Sequence, residues 1–123
     1  MCYLKRKIDS FLTEWKAAPR HKPLIVKGPR QVGKTESVRR FAESSYENVI
    51  YINFVEEPKY KLITADGYKT DDIVKNISRL DPGKRFLPGK TLFFFDELQE
   101  FPDIATALKF FCIDDRFDVI CSG

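Results

Sequence analysis

An eight-residue segment between a short apolar run and a helical pattern constrains this chain more than any other feature of its sequence. It fits the pattern glycine, four residues, glycine, lysine, then serine or threonine. Between a strand and a helix, this pattern predicts a loop that binds phosphate groups. The segment reads Gly28-Pro29-Arg30-Gln31-Val32-Gly33-Lys34-Thr35.

Each part of this segment has a physical task. Glycines permit backbone angles that turn successive N–H groups onto phosphate oxygens, and the following helix presents the positive end of its dipole. Lys34 is expected to place its ammonium group on the β and γ phosphates, and the Thr35 hydroxyl to coordinate Mg²⁺. The segment therefore predicts a site for a nucleoside triphosphate and Mg²⁺.

Strand patterns alternate with helical patterns along the chain, which predicts right-handed crossovers and an α/β fold. We expect a three-layer P-loop core with a parallel sheet and flanking helices, incomplete at the C-terminus. The predicted organisation is a leading helix over residues 1–18 and a core over residues 23–123. The predicted strands are Leu24–Val26, Val49–Phe54, Thr91–Phe95 and Phe117–Cys121.

The sequence predicts two helices after the second strand and indicates where each of them begins. Thr70 is a plausible N-cap for the first of them, since threonine can accept a hydrogen bond from a free N–H at a helix start. Pro102 precedes the second. Its apolar face is predicted to contain Ile104, Ala105, Leu108, Phe111 and Cys112.

Two adjacent carboxylates, Asp96 and Glu97, follow an almost wholly apolar strand. Ligands of open α/β sheets bind at the carboxyl ends of strands, where this pair is placed. Asp96 is expected to hold Mg²⁺ opposite Thr35, directly or through water. Glu97 is expected to orient or deprotonate the water that attacks the γ phosphate. Alternatively, the two carboxylates have no role in a site and are only the polar end of a strand where it meets solvent.

Other polar residues lie near predicted strand ends. Asn53 could reach the Glu97 carboxylate, and Ser122 would lie near the γ phosphate if the fourth strand neighbours the first. A solvated strand terminus is an equal alternative for both. Gln99 could contact a neighbour or a polar ligand.

Composition narrows the classes of protein. With 123 residues, one domain is expected, and the net charge of +3 is spread among acidic residues, so nucleic acid is not indicated. Three widely spaced cysteines without a paired motif favour reduced thiols and a cytoplasmic location. Neither a signal peptide nor a membrane-spanning segment is expected.

The chain resembles bacterial and archaeal AAA-type ATPases whose phosphate loop reads Gly-Pro/Ala-Arg-Gln-Val-Gly-Lys-Thr. The family's Phe-Asp-Glu-Ile/Leu-Gln segment appears here as Phe95-Asp96-Glu97-Leu98-Gln99. The resemblance implies a sheet of order 5-1-4-3-2. It also implies that Lys34 binds phosphate, Thr35 and Asp96 bind Mg²⁺, Glu97 activates water and Ser122 is a sensor.

The resemblance also implies parts that this sequence does not contain. A fifth strand, a helical lid, an arginine finger and a C-terminal domain would follow, so the sequence looks truncated. Without the fifth strand, the first strand would be an exposed apolar edge and a possible site of self-association. Glu36-Ser37 also departs from the small or apolar pair that commonly follows the loop.

Three functions remain open at this point. The leading one is Mg²⁺-dependent ATP hydrolysis that drives or switches a C-terminal domain, although this chain alone could be inactive. A nucleotide-dependent binding or signalling module with little turnover is the second. A small-molecule kinase is the third, disfavoured because Glu97 beside the metal ligand would activate water.

Overall fold

Four parallel strands form one sheet in the computed structural model, which describes residues 11–18, 22–26 and 34–123, with the backbone alone for Lys34. The order of the described strands is β1–β4–β3–β2, so β4 lies between β1 and β3. This agrees with the 1-4-3-2 part of the expected order and confirms the parallel α/β fold. The strands are β1 (Leu24–Val26), β2 (Asn48–Asn53), β3 (Thr91–Asp96) and β4 (Asp118–Ser122).

Helices cover both faces of the sheet. Short 3₁₀ segments at Pro58–Leu62 and Leu98–Glu100 follow β2 and β3. The helices are α1 (residues 11–17 of the described chain), α2 (Lys34–Ser45), α3 (Thr70–Leu80) and α4 (Asp103–Asp114). No helix in the described ranges is both long enough and apolar enough to cross a membrane.

Side-chain alternation along the strands divides the core in two. One buried cluster joins α1 and α2 to the sheet through Leu12, Val38, Phe41, Ala42, Leu92, Phe94 and Ile120. The other joins α3 and α4 to the opposite face and includes Phe93, Phe95, Val119 and Cys121. All six residues of β3 are buried, as its unbroken apolar run predicts. The sheet therefore lies between two helical layers.

The bounds of β2, β3 and β4 differ from the predicted ones by one residue, and three predictions for single residues of the helices also differ from the structure. Lys69 is the N-cap of α3, while Thr70 is already helical and its buried hydroxyl has no hydrogen-bond partner. On α4, Ala105 and Cys112 are exposed, and Ala107 is buried instead. Helical spacing fits either set of buried residues on α4, because positions three and four apart share a face. Which residues face the core therefore depends on how the helix is rotated against the sheet.

The edge strand β1 is only partly buried and pairs with β4 alone in the described residues. α1 packs beside it, and the Trp15 indole N–H donates a hydrogen bond of 2.8 Å to the Lys22 carbonyl. The described ranges exclude residues 1–10, and with them Cys2, as well as His21. Of the described cysteines, Cys112 is exposed and Cys121 buried, and both are free thiols.

Candidate functional site

Polar side chains from three strands face the α2 side of the sheet at its carboxyl edge. Asn53 is the register partner of Asp96, and Asp96 is two residues beyond Phe94 of the α2-side cluster. Ser122 is likewise two residues beyond Ile120. Because side chains alternate along a strand, these polar groups project to the same side, toward the start of α2.

Asp96 is the centre of this group and is only 4% exposed. Its Oδ2 accepts hydrogen bonds from the hydroxyls of Thr35 and Tyr51, each at 2.9 Å. Its Oδ1 accepts from the Ser122 hydroxyl at 2.7 Å and from the Glu97 backbone N–H at 2.9 Å. The structure therefore brings Ser122 to the pair of Thr35 and Asp96, which the sequence had already placed opposite each other.

Glu97 leaves the strand in an unusual backbone conformation. Its φ and ψ of 61° and 48° are left-handed, a region that costs a residue with a side chain about 1–2 kcal/mol. The turn ends β3 directly after Asp96 and lets the Glu97 N–H reach the neighbouring carboxylate. Backbone strain of this kind is concentrated at functional sites, where the surrounding structure maintains it.

The hydrogen bonds of the Asn53 side chain go to the turn after β2 and to Tyr51, and not to Glu97 as the sequence suggested. Its Oδ1 accepts from the backbone N–H groups of Val55 and Glu56, at 2.9 and 3.0 Å. Its Nδ2 donates to the Tyr51 hydroxyl at 3.3 Å. The side chain thus shapes the turn after β2, and its amide supports Tyr51.

Tyr51 is a site residue that the sequence analysis missed. Burial, and to a smaller degree its bond to Asp96, raise the Tyr51 pKa to about 12, although the bond from Asn53 acts in the opposite direction. The hydroxyl therefore stays protonated and keeps its hydrogen to donate. The Arg39 guanidinium lies 4.5 Å from the centre of the ring. A tyrosine two residues before Asn53, on the same strand face, was the available signal.

Gln99 contacts the end of β4. A side chain placed on Gly123 would come within 2.4 Å of the Gln99 Oε1 and 2.8 Å of the Leu98 backbone nitrogen. A larger residue there would force the 3₁₀ segment after Glu97 to shift, because its backbone approaches so closely. Gln99 thus has a neighbour, one of the two roles considered for it.

The phosphate loop itself is only partly described. Gly28 to Gly33 and the Lys34 side chain lie outside the described residues, so their predicted contacts remain predictions. Thr35, in the first turn of α2, is the loop residue whose side chain is described. Glu36, one of the two residues that depart from the family pattern, is exposed and pairs with Arg40 at 2.8 Å.

The donor set suits Mg²⁺ in the way that nucleotide sites hold it. Asp96 and Thr35 offer a carboxylate and a hydroxyl oxygen 2.9 Å apart. The described residues contain no cluster of three or more histidine, cysteine, aspartate or glutamate side chains that could hold a metal ion. Mg²⁺ sites of this class need no such cluster, since one or two protein ligands, substrate phosphates and waters complete the coordination.

Fold and site together define a class of protein. A parallel sheet in which β4 separates β1 from an acidic strand end, facing the helix after a Gly-x₄-Gly-Lys-Thr segment, is typical of P-loop nucleotide-binding proteins. The chain belongs to the AAA domain family, whose family model matches residues 20–123. This is a family of nucleotide-binding, ATPase-type domains.

A solved structure of PCH-2 from C. elegans resembles the whole chain. The match covers 98% of this chain with a TM-score of 0.55 and 14% sequence identity, so it supports the fold alone. The chain corresponds to 37% of the length of that protein. None of the curated proteins matches the sequence significantly.

Proposed function

We propose that this chain binds ATP and takes part in its Mg²⁺-dependent hydrolysis. The observation that carries the proposal is the convergence of the Thr35 and Ser122 hydroxyls on the Asp96 carboxylate. The three residues lie on different elements, and their joint position beside the start of α2 is what a triphosphate site of this class requires.

Each residue has a distinct task in this proposal. Lys34 binds the β and γ phosphates, together with backbone N–H groups of Gly28–Gly33. Thr35 and Asp96 hold Mg²⁺, which supplies positive charge beside the phosphate oxygens when bound. Ser122 is the sensor at the end of β4, and it acts on the γ-phosphate end of the site through the Asp96 carboxylate, to which its hydroxyl donates.

Glu97 is proposed to orient the attacking water and accept its proton. Its strained backbone and its place directly after Asp96 support this role. A carboxylate that activates water would waste ATP in a kinase, so hydrolysis is favoured over phosphoryl transfer to a small molecule. ATP hydrolysis, or the ATP-bound state itself, would drive or switch a C-terminal domain beyond these 123 residues.

The test uses the full-length protein. ATP binding and phosphate release are measured for the wild type, Lys34→Ala and Glu97→Gln. Lys34→Ala should abolish Mg-ATP binding, and Glu97→Gln should keep binding but lose most phosphate release. The exposed substitution Glu36→Gln on the same helix is the control and should alter neither.

Three outcomes of these measurements would contradict or change the proposed function. Unweakened Mg-ATP binding by Lys34→Ala would contradict the site. Unchanged release by Glu97→Gln would remove that residue from the mechanism. ATP binding without release by the wild type would favour the nucleotide-dependent binding module.

A further inference from the structure

All four acceptor positions of the Asp96 carboxylate are occupied. An ionised carboxylate has about four lone-pair positions, two on each oxygen. Oδ2 accepts from two hydroxyls and Oδ1 from a hydroxyl and a backbone N–H, with donor–acceptor distances between 2.7 and 2.9 Å. A metal ion or a metal-bound water needs one of the same positions, so one donor has to withdraw.

Three of the four donors are poorly suited to leave. The Glu97 donor is a backbone N–H fixed by the turn after β3. The Ser122 hydroxyl is fully buried. Thr35 is the other proposed Mg²⁺ ligand, and its hydroxyl can donate to Asp96 while its oxygen binds the metal through a lone pair.

Tyr51 is the donor that can leave at low cost. It is half-buried on β2, an edge strand of the described sheet, and it lines a surface groove of about 320 Å³. Asn53 already donates to its hydroxyl, and Arg39 lies over its ring. The bond from Tyr51 to Asp96 is only partly buried, so water can become the new partner of the hydroxyl, whereas Ser122 would lose a buried bond.

We propose that the Tyr51 hydroxyl occupies the Oδ2 position of Asp96 in the nucleotide-free chain and withdraws when Mg-ATP binds. Thr35 shares this oxygen, so Oδ2 is the carboxylate atom next to the other proposed ligand. Tyr51 is then a positioning residue that holds the Asp96 carboxylate and competes with the metal for it. This inference rests on the proposed function.

The test measures metal dependence of binding and needs no turnover. Binding of a fluorescent ATP analogue to the full-length protein is followed by anisotropy, without metal and across a Mg²⁺ titration. Tyr51→Phe keeps the ring against Phe94 and removes only the hydroxyl. Tyr46→Phe is the matched control, because the Tyr46 hydroxyl also donates to a carboxylate, that of Asp118 at the opposite end of β4.

Tyr51→Phe should lower the Mg²⁺ concentration for half-maximal tightening of ATP binding by about tenfold or more, the effect of removing one competing hydrogen bond to a charged group. Metal-free nucleotide binding should stay within about twofold of wild type, a difference well below that of one hydrogen bond. Tyr46→Phe should leave the Mg²⁺ dependence unchanged. Thermal unfolding of each variant shows whether it is folded.

Contrary results distinguish failure of the proposed function from failure of the inference about Tyr51. If wild-type ATP binding does not depend on Mg²⁺, the proposed function and this inference both fall. If wild type depends on Mg²⁺ but Tyr51→Phe leaves that dependence unchanged, or needs more Mg²⁺, only the inference falls. In fluorotyrosine-labelled wild type, the Tyr51 resonance should shift with Mg-ATP and hardly with metal-free ATP; equal shifts would also overturn it.

Discussion

The Ser122 hydroxyl, at the end of β4, donates a 2.7 Å hydrogen bond to Oδ1 of Asp96, at the end of β3. Both side chains are at least 96% buried. The bond crosses between neighbouring parallel strands beyond their last shared register pair, Phe95 with Cys121. It therefore fixes the position of Ser122, the proposed sensor, relative to the acidic end of β3.

Replacing Ser122 with alanine should destabilise the fold by about 1.5–3 kcal/mol, the range for a hydrogen bond to a charged group. The variant leaves the buried Asp96 carboxylate with three of its four donors. Urea unfolding measures the loss. Ser44→Ala removes an exposed hydroxyl that donates to the Phe41 carbonyl, and it should change stability by less than about 0.5 kcal/mol. Equal losses in the two variants would contradict the role assigned to Ser122.

Local sequence patterns were sufficient for the elements of the fold. The apolar run before Asp96 predicted a strand buried on both faces, and all six residues of β3 are buried. The position of β4 between β1 and β3 was implied by the family resemblance, because periodicity alone does not order parallel strands. The pairing of Thr35 with Asp96 followed from the position of the acidic pair at the end of a strand downstream of the phosphate loop.

Contacts that depend on strand register could not be predicted. Tyr51 and Asp96 are 45 residues apart, and their bond requires β2 to pair with β3 so that Asn53 lies opposite Asp96. A shift of one residue would turn Tyr51 to the other face of the sheet. The suggested contact between Asn53 and Glu97 would need the Asn53 Nδ2 as donor, and that group donates to the Tyr51 hydroxyl instead.

Phe93 should be among the most sensitive core positions. It is fully buried, and the ring centres of Phe111 and Phe117 lie 5.3 and 5.2 Å from its own. Phe93→Ala should lower the free energy of unfolding by about 3–5 kcal/mol, since the lost contacts and the remaining cavity both contribute. Ile113→Ala, at a position 80% exposed, should have almost no effect. A loss below about 1 kcal/mol for Phe93→Ala would mean that the core refills the space.

Arg116 should stabilise the fold modestly, and this contribution should be lost at acid pH. Its guanidinium bonds Asp114 at 2.6 and 3.0 Å and also reaches Asp71 at the start of α3. The bond from Arg116 lowers the Asp114 pKa below 3.8. The contribution is therefore present above pH 3.8 and lost as the pH falls through the lower folded-state pKa.

Arg116→Ala should cost about 1 kcal/mol or less at neutral pH, because water screens these partly exposed groups. Unfolding titrations at neutral and acid pH should show the difference from wild type shrinking below pH 3.8. The control is Arg40→Ala, which breaks an exposed pair with Glu36 within α2 and should cost under about 0.5 kcal/mol. A difference that grows in acid would contradict the assignment.

Cys121 should be protected from thiol reagents in the folded chain. Its side chain is fully buried on β4, and burial raises its pKa from 9.0 to about 12. The reactive thiolate is therefore suppressed at neutral pH, and the stability linked to the neutral thiol is present below pH 9.0 and lost as the pH rises toward 12. Cys112 is exposed on α4 and supplies the internal comparison. Peptide mass spectrometry after brief alkylation should find Cys112 modified and Cys121 intact, and urea should make Cys121 reactive. Equal modification of both thiols in the native chain would show that β4 opens on the timescale of labelling.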